Sequence, residues 1–300
     1  MTQKTLSIWI KATRPQFFTV IILPILLGTA IAKHLEGVFL PLYFGLSLIA
    51  GIFTHAGINV INDYFDLKAD NLNKTPLIPF TGGSRMMQNG FFSAPETYRY
   101  GFLLLTIAVS IGLFLVWARG LPLLWIGLIG VLSGYFYSAP PFSFHSRGLG
   151  EILVGLDFGV LAVLGAYYVQ TQTLNITAVI AALPLTGLVA AILYINGFPD
   201  LVSDKQAGKN TLVVRLGKAP ARPIYALLIL FSFIAIIMGV IYNYIPLLSL
   251  IGLLLLPMGF KAIKGLYTYY DQPTELIPAI KNTIMLHTLV GVFLILGFMF

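Results

Sequence analysis

The chain has 300 residues, 58% of them apolar and only 10% charged, with a mean hydropathy of +0.89; this lies outside the soluble globular range and describes a polytopic membrane protein. The formal charge of +7 does not signal nucleic acid, because the Lys and Arg residues flank apolar runs, where anionic lipid headgroups are the simpler partner. With no cysteine, disulfides and thiolate metal sites are both excluded.

A helix needs roughly 20 apolar residues to cross about 30 Å of hydrocarbon. Runs of that kind fall at 17–32, 40–61, 98–117, 121–137, 152–169, 176–194, 224–241, 245–260 and 284–300. They are too long and too uniformly apolar for barrel strands, so the expected fold is all-α, about nine transmembrane helices in a single domain over residues 1–300. The N-terminus carries Lys4, Lys11 and Arg14 but no short apolar core ending in small residues, so the first span is expected to be retained. If that terminus is cytoplasmic, every basic residue except Lys33 and Arg119 falls on the cytoplasmic side. The expected topology in the plasma membrane is therefore N-terminus in and C-terminus out. The two largest loops, 64–97 and 197–223, lie on the inner side, and function is expected there.

The second span ends in Asn59-Val-Ile-Asn-Asp-Tyr-Phe-Asp-Leu-Lys-Ala-Asp70, which places Asp63, Asp66 and Asp70 together in a chain with only eleven acidic residues. On a helix, Asn59, Asn62, Asp63, Asp66 and Asp70 share one stripe, and no Gly or Pro between Val60 and Asn73 interrupts it. The sixth span leads into a similar series, Asn196, Asp200 and Asp204 at i, i+4 and i+8, where Pro199 is expected to kink or end the helix. A four-helix internal repeat would account for the likeness and would face the two clusters across a shared cavity.

Any one of these acids reads as an ordinary loop residue; two matched clusters read as a site. Carboxylates stacked one turn apart repel, and a cation offsets that repulsion. Mg²⁺ is the candidate, since it accepts one or two carboxylates together with water and substrate phosphates. An EF-hand is excluded by the missing Gly and terminal Glu. Lys68, Lys74 and Arg85 accompany the first cluster, and Lys205, Lys209 and Arg215 the second. They are either diphosphate contacts or the ordinary basic bias of an inner loop. Gly82-Gly83-Ser84-Arg85 is more specific, because paired glycines let backbone N–H groups approach an anion. Lys11 and Arg14, beside Pro15, reach the same interface or serve only topology.

Asn62-Asp63-x-x-Asp66-x-x-x-Asp70 with Asp200-x-x-x-Asp204 resembles the paired aspartate signature of the UbiA-type intramembrane prenyltransferases. The stretches 80–85 (Phe-Thr-Gly-Gly-Ser-Arg), 137–141 (Tyr-Ser-Ala-Pro-Pro), 147–151 (Arg-Gly-Leu-Gly-Glu) and 207–217 are most similar to the 1,4-dihydroxy-2-naphthoate polyprenyltransferases of menaquinone synthesis. The resemblance covers nearly the whole chain. It implies nine helices around a central cavity, with Mg²⁺ holding the diphosphate of a polyprenyl donor. It also implies Asn62, Asp66 and Asp70 serving one metal and Asp200 and Asp204 the other, with Asp63 in a supporting role. Lys68, Lys74, Arg85, Lys209 and Tyr137 are the expected diphosphate-side residues. The implied reaction is transfer of the prenyl group to an aromatic acceptor in the membrane, with no obligate protein partner. Other acceptors of the superfamily are 4-hydroxybenzoate, homogentisate and a glycerol phosphate lipid. A cation-coupled transporter is the reading from a different class, and it predicts acids near the midplane with polar groups leading out on both sides.

Asp157, two turns into the fifth span, is a functional candidate by its depth; it binds an acceptor or pairs with a base such as Arg147. His34, His55, His145 and His287 are expected to be satisfied structural or solvated histidines. Most aromatics belong to packing and interface belts, while Tyr137 is placed to flank a carbocation.

Overall fold

In lipid the backbone has no water to pair with, so each apolar run must close its own hydrogen bonds as a helix. The computed structural model describes residues 5–300, and Lys4 lies outside the described residues. Their regular structure is entirely helical, with no strand among the described residues. Eight helical spans are long and apolar enough to cross a membrane, and a ninth is shorter at 17 residues.

In chain order, α1 (Leu6–Ala12) precedes the first spanning helix, α2 (Thr19–Glu36). The second span is α3 (Pro41–Phe65), followed after one residue by the short α4 (Leu67–Leu72). α5 (Ala94–Arg119) starts from a capping box in which Ser93 and Glu96 satisfy each other's backbone N–H groups. It is followed by the short α6 (Pro122–Ser138). The fifth span is α7 (Gly150–Gly155), a π-helical stretch Leu156–Leu161, and α8 (Ala162–Thr171). Then come α9 (Ile176–Ala207), α10 (Leu212–Leu216) and α11 (Lys218–Ile241). A 3₁₀ stretch, Leu247–Leu255, runs into α12 (Leu256–Tyr269), and α13 (Ile277–Met299) closes the chain.

Lipid gives no hydrophobic drive between helices, so close van der Waals approach has to hold them. At the α3–α5 crossing Gly57 and Gly101 meet backbone to backbone: a Cβ on Gly57 would stand 2.9 Å from the Gly101 carbonyl. The main packed core lies around α9, where Leu185, Leu188, Tyr194 and Phe198 are buried against Tyr225 and Ile229 of α11 and Leu286 and Val290 of α13. The helices α2, α3, α5, α6 and α7–α8 together with α9 surround a cavity, with α7 packed directly on α9.

One expectation about local structure is overturned and another is narrowed. The helix of the first acidic series does break, at Asp66 (φ −87°, ψ 2°), although no Gly or Pro is present. The Asn62 side chain donates to the Asp66 carboxylate across that turn, and such side-chain bonds compete with helix continuation. Conversely, α9 does not end at Pro199 but continues for two more turns to Gly208, whose left-handed φ of 88° stops it. Proline removes a single hydrogen bond there, and burial of the preceding Phe198 keeps the turn packed.

Candidate active site

The bundle surrounds an open cavity of about 590 Å³. One end is lined by polar side chains from α3, α4 and α9, and the remainder by apolar side chains such as Ile21, Ile25, Val131 and Leu161. Asn62, Asp66, Asp70, Asp200 and Asp204 all reach the polar end. The unbroken run of α9 past Pro199 is what carries Asp200 and Asp204 to α4, since α4 packs against α9.

A lysine joins the two acidic series. Lys209 Nζ lies 2.8 Å from Asp66 Oδ1 and 3.5 Å from Asp204 Oδ1, with all three side chains nearly buried. A second tie is neutral: Asn73 Nδ2 donates to Asp200 Oδ1 at 2.8 Å. Burial opposes ionisation of Asp66, but Lys209, with His145 adding to it, outweighs burial and holds this carboxyl below the usual range. Asp70 behaves oppositely: burial pushes it up to about 8, and repulsion from Asp63 and Asp66 adds to the shift. Burial disfavours the Lys209 ammonium, yet Asp66 and Asp204 more than compensate and raise its pKa.

The glycine pair has a different use from the one its sequence suggests. Gly82 and Gly83 both adopt positive φ, and the Ser84 N–H they present is donated to the Asp63 carboxylate at 3.1 Å. The anion in this nest is therefore the chain's own Asp63, which anchors the loop; Asp63 is buried outside the cavity lining. Arg85 extends the same anchor, donating to the Asp70 carbonyl at 2.6 Å. Lys68 donates to the Ala207 carbonyl and Lys74 is exposed. Of the five diphosphate-side candidates, the fold brings Lys209 and Tyr137 to the cavity and leaves Lys68, Lys74 and Arg85 off it, because the latter three brace or solvate the loop.

Arg14 lines the cavity and Lys11 does not. The left-handed backbone of Arg14 (φ 57°) ahead of Pro15 turns the chain there, and its guanidinium donates to the Phe80 carbonyl. Asp157 also lines the cavity, accepting a 2.7 Å hydrogen bond from Ser133. Arg147 is not its partner, since it donates to the Pro141 carbonyl.

The histidine expectation fails for three of the four. His55, His145 and His287 each carry a buried ring nitrogen with no hydrogen-bond partner. His145 stacks on Tyr137 with ring centroids 4.9 Å apart, and burial followed by the nearby Lys209 charge lowers its pKa to about 4. Asn196, which spacing placed in series with Asp200 and Asp204, and Glu151, which spacing did not single out, both line the cavity with an unpartnered buried oxygen. The signal for Asn196 was its place four residues before Asp200. Glu151 closes the Arg-Gly-Leu-Gly-Glu stretch.

Whether these side chains suit a divalent cation follows from their chemistry. The donors at the polar end are oxygens of Asp66, Asp70, Asp200, Asp204, Asn62 and Asn196, which match a hard cation such as Mg²⁺. Four buried carboxylates also exceed what one lysine neutralises. No group of three or more His, Cys, Asp or Glu side chains forms a ready metal cage among the described residues.

Residues 21–279 match the UbiA prenyltransferase family. The chain is 28% identical to 2-carboxy-1,4-naphthoquinone phytyltransferase of Synechocystis sp., covering 98% of this chain and 94% of the relative. It is 30% identical to 1,4-dihydroxy-2-naphthoate octaprenyltransferase of Escherichia coli, covering 99% and 97%. Among solved structures, a UbiA homolog from Archaeoglobus fulgidus bound to DMAPP and Mg²⁺ superimposes with a TM-score of 0.68 at 18% identity, covering 96% of this chain and 98% of that one.

Proposed function

The chain belongs to the UbiA prenyltransferase family, a multi-pass membrane protein with its acids gathered at one end of an apolar cavity, and we propose that it prenylates 1,4-dihydroxy-2-naphthoate in menaquinone synthesis. The observation that carries the transfer chemistry is the meeting of both aspartate series around Lys209. The acceptor is supported by the likeness to the 1,4-dihydroxy-2-naphthoate octaprenyltransferase of Escherichia coli and the 2-carboxy-1,4-naphthoquinone phytyltransferase of Synechocystis, each over nearly the whole chain. The placement of nearly all basic residues on one side supports a cytoplasmic active site in the plasma membrane. The placing of Asp66 and Asp70 just after the second span and of Asp200 and Asp204 at the end of the sixth supports a repeat of four helices within one transmembrane unit.

Asp66, Asp70 and Asn62 on one side and Asp200 and Asp204 on the other would hold Mg²⁺, as the Archaeoglobus fulgidus homolog does with a prenyl diphosphate. When bound, such a cation supplies positive charge to the leaving diphosphate oxygens. Lys209 adds a second cation on the same side, exchanging its Asp66 contact for the diphosphate. The apolar wall binds the polyprenyl chain, at roughly 0.8 kcal/mol per buried CH₂, and excludes water from the reacting carbon. Tyr137 offers its ring to the developing allylic cation. The allylic C–O bond breaks and its electron pair leaves with the diphosphate. The carboxylate-bearing ring carbon of the acceptor then forms the new C–C bond with an electron pair of the ring. Cleavage of the ring–carboxylate bond releases CO₂ and returns its electron pair to the ring.

The test is transfer from radiolabelled prenyl diphosphates to a panel of aromatic acids in membranes containing Mg²⁺, with mass spectrometry and CO₂ release as readouts. Naphthoate should be prenylated with stoichiometric CO₂. Asp66→Ala and Asp200→Ala should abolish transfer while the protein remains inserted, and full activity in either variant would sink the metal assignment. Product from 4-hydroxybenzoate without CO₂ would replace the acceptor and leave the family chemistry standing.

A further inference from the structure

Buried polar atoms in native folds nearly always find a partner, so those that do not call for an explanation. Among the described residues, five of the side chains with such an atom line the cavity: Arg14, His55, His145, Glu151 and Asn196. Arg14 is cationic and Asn196 falls in register with the aspartates, so both are explained by the diphosphate end. Glu151 is not. It is only 6% exposed, and its Oε2 has no hydrogen-bond partner.

Its position is fixed by its neighbours. Glu151 occupies the first turn of α7, directly after Gly150. A side chain at Gly150 would meet His145 Nδ1 at 2.7 Å and the Tyr137 ring at 3.3 Å, so the stacked Tyr137–His145 pair closes over the glycine and Glu151 stands beside it. His145 Nδ1, at the same place, is also unpartnered. A bare carboxylate oxygen next to an aromatic pair needs a hydrogen-bond donor. The prenyl diphosphate has none to give: its hydrocarbon is apolar, and its phosphate oxygens accept and repel a carboxylate. An aryl hydroxyl supplies the missing donor.

We propose that Glu151 is a substrate-binding residue that accepts a hydrogen bond from a ring hydroxyl of the aromatic acceptor, with the acceptor ring lying against the Tyr137–His145 pair. This rests on the prenyltransferase reading and names the acceptor subsite within it. It places the acceptor against the α6–α7 wall of the cavity. It also selects for hydroxylated rings, because a ring without the hydroxyl leaves Oε2 buried and unpaired.

The experiment separates the two substrates. Wild type, Glu151→Ala and Glu151→Gln are assayed with naphthoate and with its two mono-methyl ethers, and KM is measured for donor and acceptor independently. Glu151→Ala should raise the acceptor KM roughly ten- to hundredfold, the range of a hydrogen bond to a charged group, with the donor KM and the Mg²⁺ dependence unchanged. Glu151→Gln, which keeps a carbonyl acceptor, should recover part of the loss. One methyl ether should be penalised in wild type but carry no further penalty in Glu151→Ala, since the two changes remove the same bond. A merely structural role for Glu151 would leave both ethers equally penalised in all three proteins. That outcome, or a donor KM that moves with the acceptor KM, overturns the assignment of Glu151 alone. Wild type that transfers to no aromatic acceptor overturns the parent reading and this one with it.

Discussion

Gly83→Ala isolates the loop that props up the acidic site. Its backbone φ is +72°, and an added Cβ would overlap Asp70 Oδ2 and stand 2.9 Å from Asp63 Oδ1. Two penalties follow. The left-handed backbone costs alanine roughly 1–2 kcal/mol. Ordinary contact begins near 3.4 Å, so Asp63 must withdraw by about 0.5 Å and Asp70 by more. A misplacement on the order of 1 Å in a catalytic array costs about 10²-fold in rate. Gly90→Ala supplies the control, since Gly90 has φ +73° but nothing within 4 Å of its added Cβ. Both variants should lose thermal stability in detergent through the left-handed backbone, Gly83→Ala the more because of its added contacts. Only Gly83→Ala should lose about two orders of magnitude in initial transfer rate under saturating donor and acceptor. Equal rates in the two alanine variants would refute the idea that the Gly82–Ser84 nest sets the position of Asp70 through direct contact.

Lys209→Met should remove about 3–5 kcal/mol by leaving Asp66 and Asp204 buried without their shared cation; the melting temperature should fall in chelator and recover when Mg²⁺ is added, and a fall that Mg²⁺ does not reverse would count against the exchange of one cation for another. Arg119→Ala, at the opposite end of the bundle, uncovers the Val169 and Gln170 carbonyls that its guanidinium satisfies. It should lower the melting temperature through loss of about 1.5–3 kcal/mol per charged hydrogen bond while leaving both KM values unchanged. Tyr225→Phe deletes a buried hydroxyl whose partner, Thr283, keeps a bond to the Ala279 carbonyl. The expected loss, about 1 kcal/mol by chemical denaturation, should come with no change in transfer rate.

The spanning helices were legible because lipid forces one solution on an apolar run, and each of the nine expected segments falls on helix. What composition could not set was where helices stop beyond the hydrocarbon. The turn at Asp66 and the continuation through Pro199 are decided by Asn62, Lys209 and Phe198, side chains that act only once the fold has brought them into place. The aspartates were legible for a different reason: carboxylates are scarce here, and helical spacing alone groups them. Charge was a poorer guide. Lys68, Lys74 and Arg85 looked equivalent to Lys209, and only tertiary packing separates the base that faces the cavity from those that brace the loop. Glu151 and His145 were hidden because nothing in a sequence announces an unpartnered atom. That property exists only in the packed structure.

The shortness of α6 ties the chamber to the surrounding lipid. Its 17 residues span only about 26 Å, against about 30 Å of hydrocarbon in an average bilayer. Its outer face presents Trp125, Ile129 and Leu132 to lipid, while Ile126, Val131 and Gly134 line the chamber. The wall there is one helix thick and at the short end of what crosses a bilayer, so a thicker bilayer must thin around it or shift the helix to relieve the mismatch. Acyl chain length thus acts directly on the wall beside Tyr137, and turnover in vesicles should depend on bilayer thickness even when head groups, substrates and metal are held constant.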